Sequence, residues 1–137
     1  MKVSPKKTAP NEMNVHVDKA VEKLASASML LEKNFIDDAV SRAYYAVFHA
    51  IVALLREKSV NLDQHKHAYI LNQFRELFID TEIFSRDMFF KIQQIKQVRE
   101  QADYSANIKI DKAKAEQLLA ETTTVVEMIK NYLQEKT

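Results

Sequence analysis

No glycine occurs anywhere in this chain of 137 residues. Glycine is the residue that takes positive φ without steric penalty and lets backbone approach a ligand closely. Phosphate-cradling loops, dinucleotide fingerprints and the strained turn that carries a hydrolase serine all depend on it. The enzyme classes built on those devices are therefore disfavoured, and so are tight β-hairpins. What remains is an all-α fold. Cysteine is absent as well, which removes disulfides, thiolate nucleophiles and thiolate zinc sites. That composition suits a reducing, cytoplasmic setting.

Apolar residues recur at helical spacing in five segments: 12–33, 36–58, 64–78, 86–104 and 111–134. Asp37 and Asp38 stand in the first turn of the second segment, where carboxylates suit the helix dipole. Ser85 and Asp111 precede the fourth and fifth segments as expected caps. Asn34, Asn61 and Asn107 lie at or near three junctions. Asparagine is the next choice after glycine for the left-handed residue that ends a helix. Short connections favour antiparallel neighbours, so the expected architecture is an up-and-down antiparallel bundle of four to five helices. Residues 1–11 hold both prolines, Pro5 and Pro10, and read as a flexible arm. Residues 12–137 read as a single domain, because a chain of 15.9 kDa buries enough surface for one core.

No uninterrupted apolar run reaches the roughly 18 residues of a membrane span. The opening "MKVSPKKTAP" has lysines but no apolar core behind them, so no secretory signal is expected. The net charge of +1 gives no global attraction to nucleic acid. Any nucleic-acid binding must come from a local patch.

The stretch "SRAYYAVFHAIVALLRE", residues 41–57, is apolar on nearly every side. At about 100° per residue, Val40, Ala43, Tyr44, Val47, Ile51 and Leu54 share one face, the expected core stripe. Arg42, Tyr45, His49, Val52, Ala53 and Arg56 fall almost opposite. Such a mixed face should not be left bare to water. Either other helices of the bundle surround it, or it forms a groove that meets a second subunit, which arginine and tyrosine suit. The second reading predicts a homodimer, with Arg42, Tyr45, His49 and Arg56 as groove residues.

On the fourth segment, Arg99 shares the face of Met88, Ile92 and Ile95, so its guanidinium starts from the apolar side. Asp103 follows at the spacing of a helical ion pair. Two readings stand. The pair is a structural clasp, in which case removing either partner strands a charge. Alternatively Arg99 serves a ligand or partner, its planar fork suiting phosphate, and it then lies partly solvated at the open end of its face. Tyr104 comes next and can supply a hydroxyl. Lys109, Lys112 and Lys114 flank the loop beyond it and would enlarge a positive field there.

"SRAYYAVFHAIVALL", then "HAYILNQFRELF", then "VREQADY" resembles, in that order, the HEPN-domain family of small prokaryotic helical proteins. The likeness runs from about residue 12 to 133, nearly the whole chain. It implies a helical bundle, usually homodimeric, often encoded beside a minimal nucleotidyltransferase as a toxin–antitoxin pair. It also implies RNA as a target, since many members are metal-independent ribonucleases with an arginine followed a few residues later by a histidine. A tyrosine close after that arginine can be the site where the transferase attaches a nucleotide. By this resemblance Arg99, Asp103 and Tyr104 are the candidate catalytic or modified residues.

The chain departs from that signature. No histidine follows Arg99; the four histidines are His16, His49, His65 and His67. Cleavage by the ribose 2′-hydroxyl needs a general base and acid near neutrality, which histidine supplies and tyrosine does not. His49 or His67 can fill the role only if the fold brings it to Arg99. His65 and His67 two apart on a helix would face about 160° apart, which argues against a shared metal. No cofactor and no metal are expected.

Overall fold

The computed structural model describes residues 4–62 and 66–136, with side chains from Val15 onward. Five α-helices follow one another: α1 Ser4–Glu32, α2 Ile36–Glu57, α3 His67–Phe74, α4 Arg86–Tyr104 and α5 Lys112–Lys136. No strand occurs among the described residues. The all-α bundle expected from the sequence is the fold. The arm expected over 1–11 falls on residues whose side chains lie outside the described set; α1 is traced through it from Ser4. Asp63 and His65 also lie outside the described residues.

α2 is the axis of the molecule. It packs against α1, α3, α4 and α5, and every residue from Ala50 to Leu55 is buried. A helix that is apolar all round belongs in the middle of a core, and this one is there. Its C-terminal half therefore settles part of the question raised by the second face. Val52 and Ala53, 6% and 0% exposed, are covered within the chain and are not open to a second subunit. By length and composition α2 also qualifies as a membrane span, although Arg42 and Arg56 interrupt its apolar run. In the structure 67% of its most apolar window is buried inside the bundle.

The helix ends show how a chain without glycine turns corners. Asn34 takes φ 69°, with its N–H on the Leu31 carbonyl and the Phe35 N–H on the Leu30 carbonyl. That is the Schellman pattern, with asparagine in the glycine position. α2 ends the same way, but the left-handed residue is Ser59 at φ 60°, not Asn61. Ser59 N–H reaches Arg56 and Val60 N–H reaches Leu55. The third left-handed residue is Glu82 at φ 65°, and Asn107 is not among the residues with positive φ. Only one of the three asparagines marks its turn. At the N-termini, Ser85 Oγ accepts from Met88 N–H at 3.1 Å, and Asp111 Oδ1 accepts from Lys114 N–H at 2.8 Å. Both expected caps are in place.

The segment expected as one helix over 64–78 is α3 followed by a π-helical turn, Arg75–Ile79, closed by Asp80 N–H on the Arg75 carbonyl. The wider turn admits an extra residue and shifts the side-chain phase. Phe74, Phe78 and Ile79 all become buried as a result.

Candidate functional site around Arg99

Arg99 sits on the inward face of α4, directly against the tyrosine pair of α2. Its guanidinium carbon lies 4.7 Å from the Tyr44 ring centroid and 5.7 Å from that of Tyr45. Nη1 donates to Asp103 Oδ2 at 3.1 Å, while Nε is buried and has no hydrogen-bond partner among the described residues. Arg99 is 8% exposed. The reading that gave it a ligand role expected it to be partly solvated, and that expectation is corrected. Two tyrosine rings, edge-on to one another, and one carboxylate enclose it. Burial works against its charge, yet the Asp103 hydrogen bond and the nearby tyrosines hold its pKa above the ordinary value.

His67, the first residue of α3, joins this cluster. Its ring stacks on Phe48 at 4.0 Å and meets Tyr44 and Tyr45 at 6.0 and 5.9 Å. The Tyr44 hydroxyl lies 3.3 Å from His67 Nδ1. Burial pushes Tyr44 up to about 12, against the pull of the Arg99 charge, so the phenol keeps its proton. It donates to Nδ1 in the tautomer that carries the imidazole proton on Nε2. Burial lowers the pKa of His67, and the Arg99 and Lys96 charges lower it further. The structure thus brings an arginine and a mostly neutral histidine to the same pair of tyrosine rings.

Asp103 is within reach of water, its side chain 27% exposed. Tyr104, the last residue of α4, is 79% exposed. Lys109, Lys112 and Lys114 are all exposed in and after the following connection.

The groove residues of α2 divide. Arg42, Tyr45 and His49 line an open groove of about 560 Å³ along the seam with α1, together with Lys23, Asp38 and Ser41. Arg56 is not among them. It lies in the last turn of α2, about 21 Å along the axis from Arg42 at about 1.5 Å per residue, where a cation suits the helix dipole. His49 is not near Arg99. It stacks on His16 of α1 with centroids 5.7 Å apart. Burial lowers its pKa to about 4, helped by His16, Lys19 and Lys23. Among the described residues no group of three or more potential ligands could hold a metal ion.

Of the two histidines named from the sequence as able to serve Arg99, the fold brings His67 to it and places His49 against His16. One participant, Lys23, escaped the sequence. Lys23 lies on another helix from the groove stripe it faces. By contrast Asp38, Ser41, Arg42, Tyr45 and His49 share a helical stripe that spacing alone reveals.

Fold and cluster together define a small all-helical domain organised around one buried arginine. The chain belongs to the HEPN domain family, whose sequence model matches residues 13–132. "Putative toxin MJ0142" of Methanocaldococcus jannaschii is 35% identical over 122 residues, 89% of this chain and 82% of that relative. "Putative toxin MJ0605" of the same organism is 34% identical over 136 residues, 98% of each chain. "UPF0332 protein PH1297" of Pyrococcus horikoshii is 38% identical over 77 residues, 56% of this chain and 53% of that relative.

Proposed function

We propose that this protein is the HEPN component of a toxin–antitoxin-type module, a cytoplasmic homodimer that works with a nucleotidyltransferase partner and acts on RNA. The observation that carries this reading is Tyr104. Its phenol stands in solvent at the end of the helix that holds Arg99 and Asp103, where a partner enzyme can reach it. Two relatives carry the word toxin in their names. In the transfer, the Tyr104 oxygen attacks the α-phosphorus of a nucleoside triphosphate, pyrophosphate leaves, and the phenol proton passes to a base of the transferase. Co-expression with a nucleotidyltransferase encoded beside this gene is the test. Intact-mass analysis should show added nucleoside monophosphate, and Tyr104→Phe should abolish it. An unmodified chain in the presence of the active transferase overturns the modification role.

A second reading, a metal-independent ribonuclease, is favoured by one observation. His67 and Arg99 both lie against the Tyr44 and Tyr45 rings, which supports a histidine in the site that the arginine's own helix lacks. For that step His67 would take the other tautomer, with Nδ1–H donated to the Tyr44 oxygen and Nε2 free. Nε2 would take the 2′-hydroxyl proton, the 2′-oxygen would attack phosphorus, and the 5′-oxygen would leave with a proton from the imidazolium. Arg99 would meet the charge on phosphorus after a rearrangement that frees its fork. Purified protein in chelator should then degrade RNA, and His67→Ala should stop it. RNA that stays intact with the parent protein removes this reading.

A further inference from the structure

The groove between α1 and α2 has a chemistry that neither reading uses. One wall is the α2 stripe Asp38, Ser41, Arg42, Tyr45 and His49, and Lys23 of α1 stands in the other. Arg42 is exposed and Lys23 partly so. Two cations thus face the groove against one carboxylate, and Lys19 adds its field at the His49 end. A volume of about 560 Å³ falls within the range of small-ligand sites. Tyr45 belongs to both places: it lines the groove, and its ring touches Arg99 and His67.

We propose that this groove is a subsite for one nucleotide of single-stranded RNA, next to the Arg99–His67 cluster. The base stacks on Tyr45, Arg42 and Lys23 hold the phosphate, and Asp38 with Ser41 takes the ribose hydroxyl. The strand then runs past Tyr45 toward Arg99. The inference rests on the RNA part of the proposed function and names where the strand lies. Aromatic stacking with cationic backbone contacts is the ordinary way to hold a single strand. A second copy fits the groove poorly, because a two-fold contact there would bring Arg42 and Lys23 toward their own images.

The test uses the full chain in chelator with a fluorescein-labelled, mixed-sequence single-stranded RNA of about ten nucleotides, followed by anisotropy at several salt concentrations. The Lys23→Ala/Arg42→Ala double variant should weaken binding at least tenfold. It should also flatten the slope of log K against log salt by about 0.7, the contribution of one neutralised phosphate on a single strand. Tyr45→Leu should weaken binding further, and Tyr45→Phe should keep most of it, because the ring stacks and the hydroxyl does not. Circular dichroism of each variant should match the parent. Parent-like binding by the double variant, with loss on the Lys109→Ala/Lys112→Ala/Lys114→Ala triple change, places the RNA on the α4–α5 connection and overturns the proposal. An altered mass by light scattering for Arg42→Ala makes the groove a contact between copies and overturns it too. If the parent protein binds no RNA, the RNA part of the proposed function fails, an outcome distinct from a misplaced strand.

Discussion

The rings of Phe74, Phe78, Phe84 and Tyr132 pack with centroids 5.5 to 6.4 Å apart. Those of Tyr44, Tyr45, Phe48 and His67 lie 4.0 to 6.4 Å apart. The two clusters use similar residues at similar spacing, yet they differ in what they enclose. The first closes on itself, with Phe74 and Phe78 0% exposed, and the cations near it, Lys58 and Lys136, lie over ring faces. The second closes on a guanidinium, a phenol and an imidazole. Dispersion and apolar burial hold the first under any buffer condition. The second includes a cation matched by Asp103 and a histidine that burial favours in its neutral form, so its stability is expected to vary with pH. One cluster is a fixed part of the core; the other is a core that depends on protonation.

The sharpest way to break this contrast is to remove a ring from the closed cluster. Phe78→Ala should cost about 3–5 kcal/mol, the usual range for a buried phenylalanine, and by the same amount at pH 5 and pH 8. Denaturant unfolding at the two pH values checks it. A loss under about 1 kcal/mol would mean the closed cluster is not load-sharing with the core.

Arg99→Ala should cost somewhat less, about 2–3 kcal/mol. It removes the cation stacked on Tyr44 and strands Asp103, but that carboxylate already touches water and escapes the full penalty of a buried unpaired charge. Arg99→Lys should recover only part of the loss, since an ammonium cannot reproduce the planar fork. Complete recovery by lysine, read from thermal or denaturant midpoints, would reduce the clasp to a simple point charge.

Acid separates the clusters next. His49 has its folded pKa lowered to about 4, and that of His67 is lowered as well. Both are favoured as the neutral form in the fold. Above the ordinary value near 6.5 neither histidine penalises folding. As pH falls below 6.5 the unfolded chain takes up these protons first, so stability is lost progressively toward pH 4. Unfolding midpoints measured from pH 7 to pH 4 should fall. His67→Gln should flatten that fall by the second cluster's share and His49→Gln by the share of the α1–α2 seam, and Phe78→Ala should leave its slope unchanged.

The smallest expected effect lies at the edge of the closed cluster. Glu82 holds φ 65° in the turn where Phe84 N–H meets the Phe78 carbonyl. A non-glycine residue there carries about 1–2 kcal/mol of steric cost, part of which glycine returns to the unfolded chain as entropy. Glu82→Gly should therefore stabilise by about 0.5–1 kcal/mol. A lower melting temperature would show that the Glu82 side chain contributes more than its backbone costs.

The same contrast explains which parts could be read from residues alone. Periodicity gave the five helices and the Arg99–Asp103 spacing, because both are set within single segments. Caps at Ser85 and Asp111 were legible for the same reason. The π-helical turn after Phe74 was not, since only packing against Phe84 and Tyr132 rewards the shifted phase. Nor were Ser59 and Glu82 as left-handed residues, because ordinary side chains there are tolerated by the surrounding fold and not chosen for that geometry. His67 reaches the Arg99 cluster through a tertiary contact between α2 and α3, which no local pattern encodes. The burial of Arg99 likewise follows from two tyrosines on a different helix, so its spacing showed the partner and hid the enclosure.

The central place of α2 has a consequence for how the chain emerges from the ribosome. α2 ends at Glu57 and α5, one of the helices that cover it, ends at Lys136. At about 5–20 residues per second, on the order of 4–16 s separate the two. Throughout that interval an apolar helix with the length and composition of a membrane span is only partly covered. The cover over α2, and with it the setting of the Arg99 cluster, is not complete until α5 has been made.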